Sequence, residues 1–385
     1  MKTTSVSFFA LVITIVFGIM VLAGCEGPEG PSGKDGTNAT VDLEGFAPGI
    51  RCATCHDADA DTVYYVAGRS YQFSSSIHAT GGNSDRNGVN CSGCHSTEGF
   101  VERARGGFQT QLASEILNPS PPGCFACHSP HARADFSLRT EAPVTITSYI
   151  EGVPDVTVDY GKGNLCLQCH QTRQTSPMSP KPDPTKTAIT DTIVITSSRW
   201  YPHYGVNGQM LGGTGGFKFA GYTYTGNSNH TANLAIEQEG CISCHMAEPT
   251  GTQAGKGGGH TFKVGYEFGG TPGTVLTGCR DAGCHGSSFA SVNYAGATTA
   301  PVGAQTAINA NLDTLKQLLV ARNWLNPTTD LLRASASAPL RIAPAAKAGA
   351  IYNYYFIEHE GSHGVHNTRY AYELLRSSIA ELRAP

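Results

Sequence analysis

Residues 163–173 read GNLCLQCHQTR, and the centre of that stretch, Cys166-Leu167-Gln168-Cys169-His170, decides how the whole chain is read. Two thiols separated by two residues and followed at once by an imidazole serve three chemistries. They are half of a zinc site, a redox dithiol, or a point of covalent cofactor attachment. One copy leaves all three open. Moving outward, the arrangement recurs as CATCH at Cys52–His56, CSGCH at Cys91–His95, CFACH at Cys124–His128 and CISCH at Cys241–His245. A sixth copy, CRDAGCH at Cys279–His285, has four residues between its cysteines.

The chain has 385 residues and 13 cysteines, and the six motifs use all but Cys25. Zinc knuckles would pair motifs into all-cysteine quartets and favour a reducing compartment. The repetition instead predicts six covalently bound c-type haems. Two thiols add to the two vinyl groups of one porphyrin, and the next residue sits under the iron. The thioether cysteines are then Cys52, Cys55, Cys91, Cys94, Cys124, Cys127, Cys166, Cys169, Cys241, Cys244, Cys279 and Cys284. The proximal iron ligands are His56, His95, His128, His170, His245 and His285. At the sixth motif a Cys279–Cys284 disulfide is the competing reading, and the wider gap calls for a bulge that Gly283 is expected to supply.

Of 14 histidines, eight lie outside the motifs. Beyond the leader the methionines are Met178, Met210 and Met246, and Met246 follows a proximal histidine too closely to cross its own haem. Histidine supply therefore covers all six distal positions and predicts bis-histidine, low-spin, low-potential haems. The expected distal ligands are His78, in a helical SSSIHA stretch, then His131, His203, His230, His260 and His366. His359 and His363 are expected at the surface.

The N-terminus predicts export. Lys2 precedes the apolar run Phe8–Leu22, which has the length of a signal sequence. A spanning anchor over Phe8–Gly24 is the alternative, near the lower limit of length. The end of the segment, Leu22-Ala23-Gly24-Cys25, resembles a bacterial lipobox, which implies a leader over 1–24 and a lipidated Cys25. Residues 25–45 carry Gly27, Gly30, Gly33 and Gly36 and read as a flexible tether, too short a repeat for collagen. The six-haem core is expected over 46–299. It should be mostly loop, with short helices and few short strands (Val144–Ile150, Val156–Tyr160, Ile189–Thr196) around stacked haems. A surface loop is expected over 172–190. The glycine- and aromatic-rich Gly205–Gly226 is expected against porphyrin faces, since it lacks the context of a nucleotide-binding loop. Residues 300–385 predict a helical segment, with helices over Leu312–Asn323, Pro344–His359 and Tyr370–Leu382, that packs on the haem core. A net charge of −4 with no basic run argues against nucleic acid.

The stretches CFACHSPHARADFSLR, GNLCLQCHQTR, HYGVNGQMLGGTGG, GCISCHM, GGHTF and GVHNTRYAYELL, taken in order, resemble the multihaem outer-surface cytochromes of metal-reducing bacteria, including filament-forming members. The likeness runs from about residue 46 to 385. It implies a row of close haems conducting between the periplasm or outer membrane and acceptors outside, such as metal oxides or other multihaem cytochromes. By that likeness His131, His203, His230, His260 and His366 are distal ligands. Some members polymerise through a distal histidine lent by the next subunit, whereas a lipobox suits a tethered monomer equally well. Glu26 after the lipid site implies sorting to the outer membrane. The runner-up function is a multihaem oxyanion reductase with one open iron, for which Arg173 or Tyr201 would line the pocket.

Overall fold

A sustained apolar stripe appears only near the C-terminus, and there the long helices form. The computed structural model describes residues 45–385 except 60, 81–82, 109–110, 175–177, 227, 250–254, 282 and 296–301. The leader, Cys25 and the tether up to residue 44 thus lie outside the described residues. Helices that position the site are α1 (Val66–Ser74), α2 (Thr97–Arg105), α3 (Asn207–Leu211), α4 (Ala304–Ala321), α5 (Gly349–Glu360) and α6 (Thr368–Arg383). Strands are short: β1 (Val144–Ile146), β2 (Val156–Val158), β3 (Ile193–Ile195), β4 (Gly265–Phe268), β5 (Thr271–Thr274) and β6 (Leu340–Ile342). They form antiparallel two-stranded pairs, β1 with β2, β4 with β5, and β3 with β6.

Helix α4 buries Ile308, Leu312, Leu315 and Leu319, the spacing of one helical face. It starts at Ala304, eight residues before the Leu312 start expected from the sequence, because small Ala304 and Ala307 extend the buried face. Helix α5 is buried almost all round, which marks it as the central element. It ends at Gly361, whose φ of 81° supplies a left-handed stop. Asn367 caps α6 by accepting from the Tyr370 N–H at 3.1 Å. One hydrophobic core joins these helices to residues 149–219 through Tyr149, Trp200, Met210 and Phe217.

Two expectations change here. The glycine–aromatic stretch packs on helices: Asn353 of α5 accepts from Phe217 N–H and donates to Phe217 C=O, both at 2.8 Å, and donates to Ser378 Oγ at 3.0 Å. Tyr370 OH accepts from Gly216 N–H at 3.0 Å. Phe217 and Phe219 are therefore core residues of the protein, with the glycines admitting close backbone approach. Residues 172–190 are not wholly surface either, since Thr172 is buried and Met178 joins the main core. Sequence polarity hid this, because within the polar run the core takes up the single apolar side chain of Met178. The β4–β5 hairpin was not foreseen; Gly269 and Gly270 at its turn, both with positive φ, were the available signal.

Replacing Asn353 with Ala would strand the N–H and C=O of Phe217 in the core. An Asn353→Ala variant is expected to lose at least about 2 kcal/mol of stability. A denaturation midpoint equal to wild type would remove Asn353 from this role.

Candidate functional site: six paired histidines

Each motif with two intervening residues closes one helical turn. The histidine N–H donates to the carbonyl of the first cysteine at 2.9 Å in Cys52–His56, 3.2 Å in Cys91–His95, 2.9 Å in Cys124–His128, 2.9 Å in Cys166–His170 and 3.0 Å in Cys241–His245. In the longer sixth motif the same bond forms, His285 N–H to Cys279 C=O at 3.1 Å. The ends of the motif therefore keep their relation despite the two additional residues. The left-handed residue there is Gly286, with φ of 74°, directly after His285. Gly283 serves otherwise than expected: its carbonyl accepts from Asn233 Nδ2 at 2.9 Å.

No disulfide joins the twelve described cysteines, Cys279 and Cys284 included. Sulfurs of different motifs lie close to one another: Cys94 beside Cys169, Cys166 beside Cys241, and Cys244 beside Cys279. These contacts line up the second, fourth, fifth and sixth motifs as successive neighbours. Buried Arg103 of α2 ties the second to the fourth, donating to Gln168 C=O at 2.7 Å and to Cys94 Sγ at 3.5 Å. Ala126, Leu165, Cys127 and Cys169 share a small apolar cluster that brings the third motif to the fourth.

The histidines meet one to one. His56 faces His131 with ring centroids 6.2 Å apart, His95 faces His203 at 6.1 Å and His128 faces His260 at 6.5 Å. His170 faces His78 at 6.1 Å, His245 faces His366 at 6.1 Å and His285 faces His230 at 6.3 Å. Two imidazoles bound to one metal from opposite sides, each nitrogen about 2.0 Å from it, put their centroids roughly 6.3 Å apart. Every motif histidine is thus opposed, at that spacing, by one of the six rings the sequence singled out. Among the described residues no group of three or more His, Cys, Asp or Glu side chains is placed to hold a metal ion.

The second ring nitrogen bears on the fit. Nδ1 lies against Ser137 C=O for His128 (3.4 Å), Asn207 Oδ1 for His170 (3.0 Å) and Phe262 C=O for His245 (3.0 Å). For His203 it meets Tyr204 C=O (3.2 Å) and for His230 the carbonyl of His366 (3.3 Å). A proton on Nδ1 leaves Nε2 with a free lone pair, the tautomer needed for iron ligation. His260 is the exception, since the Arg69 guanidinium approaches its Nδ1 at 3.4 Å. Burial, helped by neighbouring cations or histidines, holds His78, His203 and His260 down to about 4. They are neutral at pH 7, as a metal ligand must be. His366 goes the other way: burial would lower it, but Glu360 outweighs burial and raises it.

Apolar walls flank these rings. Phe46 stacks on His131 at 4.8 Å, Phe289 on His285 at 4.2 Å, and exposed Ile77 adjoins His78. The residues present therefore fit a porphyrin at each pair. His359 stacks on Tyr204 at 4.0 Å and is more than a surface residue. With Tyr201, Tyr355, Asp330 and Glu358 it lines an open cavity of about 340 Å³ beside His203. Arg173 acts on His95 and His203 from nearby. His363 lies in the α5–α6 turn with φ of 53°. Sequence reasoning passed over Glu360 and Asn207, whose roles depend on long-range contacts.

Comparison with protein-family models, curated proteins and solved structures returned no match.

Mass spectrometry of the intact holoprotein is expected to show six porphyrins per chain, one for each motif. A Cys279→Ser/Cys284→Ser double variant should lose one of them. An unchanged mass in that variant would remove the sixth motif from haem attachment.

Proposed function

We propose that this chain is a six-haem c-type cytochrome that carries electrons. The observation that supports the reading is the one-to-one pairing of six motif histidines with six distant histidines at 6.1–6.5 Å. When bound, haem supplies reversible one-electron chemistry at low potential. The chain's part is to hold each group through two cysteines, to occupy both axial positions, and to keep neighbouring motifs in contact. Since an opposed ring stands at every motif histidine, no site is left with an open face for substrate, which favours a conduit over an oxyanion reductase. The cavity beside His203 adjoins a pair and replaces neither of its members. Each distal ring comes from the same chain as its partner, so the ligand set is complete without a second copy. That supports an anchored monomer over a filament that shares ligands.

Low-temperature EPR of the oxidised protein, repeated after reduction with carbon monoxide added, tests this. The expected result is six low-spin haems and no carbon monoxide binding. A stoichiometric high-spin, carbon monoxide-binding haem would sink the conduit reading and bring the reductase forward. In a His78→Ala variant one haem should become high-spin while the others are unaltered.

We further infer that the protein is anchored to the outer membrane through lipid on Cys25, hands electrons to another multihaem cytochrome or to an extracellular acceptor such as a metal oxide, and does not bind nucleic acid. A Cys25→Ser variant is expected to lose its labelled fatty acid and leave the membrane fraction. Unchanged membrane association would instead support the spanning reading of Phe8–Gly24.

A further inference from the structure

Of the ring-nitrogen contacts described above, those of His128, His170, His245, His203 and His230 are with neutral oxygens. His366 differs, because its Nδ1 bonds directly to the carboxylate of Glu360. Glu360 is the last residue of α5, and its side chain is wholly buried. A carboxylate at a helix C-terminus opposes the macrodipole, and burial adds a desolvation cost. The surroundings nevertheless hold it in place. Gly361 turns the chain, and Ser362 donates to Oε2 from its N–H at 3.0 Å and its hydroxyl at 2.7 Å. This leaves Oε1 for the imidazole.

The same carboxylate reaches a second pair. Asn207 of α3 donates from Nδ2 to Glu360 C=O at 2.7 Å and to Oε1 at 3.4 Å, while its Oδ1 faces His170 Nδ1 at 3.0 Å. One amide therefore spans a ring of the fourth motif's pair and the carboxylate serving the fifth, and those motifs touch through Cys166 and Cys241. A structural ion pair accounts for the burial of Glu360. It does not account for a partner that is one of six opposed rings, nor for the bridge to a second.

We propose that Glu360 is a positioning and tuning residue that orients His366, gives its ring anionic character, and makes the haem of Cys241 and Cys244 a low-potential step beside the haem of Cys166 and Cys169. This rests on the six-haem reading. A carboxylate on Nδ1–H raises the basicity of a metal-bound imidazole and stabilises the ferric state. A charged contact of the opposite sign, Arg69 beside His260, disfavours the ferric form of the third motif's haem. Charge placed behind the axial ligands thus grades the row.

The test is a spectroelectrochemical titration of holoprotein with six haems verified by mass, comparing wild type with Glu360→Gln. The variant keeps the shape and removes the charge. One component is expected to move upward by a ten-fold change in its reduction equilibrium, about 59 mV for one electron, with every haem still low-spin. An unchanged titration overturns the inference and leaves the six-haem reading intact, whereas a wild type without haem overturns that reading itself. A new high-spin, carbon monoxide-binding haem in Glu360→Gln would mean that Glu360 only props the ring, and would overturn the tuning role. If that variant fails to load haem, Asn207→Ala decides. Loss of the amide frees Oε1 for His366 and deprives His170 of its acceptor, so one component should fall and a neighbouring one rise. Absence of a downward component would also overturn the inference.

Discussion

Two imidazoles from remote parts of the chain, held opposite one another with ring centroids about 6 Å apart, are the constraint that the rest of the architecture serves. It applies six times in one chain. Regular elements place side chains at fixed periods and cannot meet so many aims at once. The chain meets them with turns. Two residues after His203 comes Gly205, whose φ of 75° is one that residues with a side chain rarely adopt. His260 follows Gly259 (φ 47°), where a Cβ would strike Gln72. At these two positions glycine helps to point a ring.

Against that loop-rich half stands the helical core. Helix α5 is buried on nearly every face and fixes α4, α6 and the 213–219 segment around it. Its C-terminal turn carries Tyr355, His359 and Glu360, and the turn to α6 carries His366. A rigid hydrophobic element therefore presents polar groups to the centre where they must be held most tightly. Asn353, deep within that core, has its amide bonded to the Phe217 backbone and to Ser378, and the Phe217 stretch docks main chain first.

Arg103 shows the same logic at the other end of the row. It is buried, lies against Gln168, Gln174 and Cys94, and spans two motifs that are distant in sequence. Arg103 is thus a buried cross-link between two sites, satisfied by a backbone carbonyl and two side-chain amides on or beside the fourth motif. The row of motifs is consequently held by contacts that run across it, in addition to the local turn at each.

From the sequence alone, the residues grouped by short-range chemistry could be read: twelve cysteines and six adjacent histidines, and, among the eight histidines left over, the six that stand opposite them. Thiol spacing and the following imidazole are local requirements, so they leave a local record. The C-terminal helices were legible for the same reason, since a helical face repeats within a few residues. Which ring meets which was not legible, because His170 with His78 and His245 with His366 are partners only after long loops close. The packing of Phe217, the burial of Met178, and the place of Glu360 between Ser362, Asn207 and His366 belong to that same class. They arise from elements meeting in three dimensions, and no periodicity along the chain encodes them.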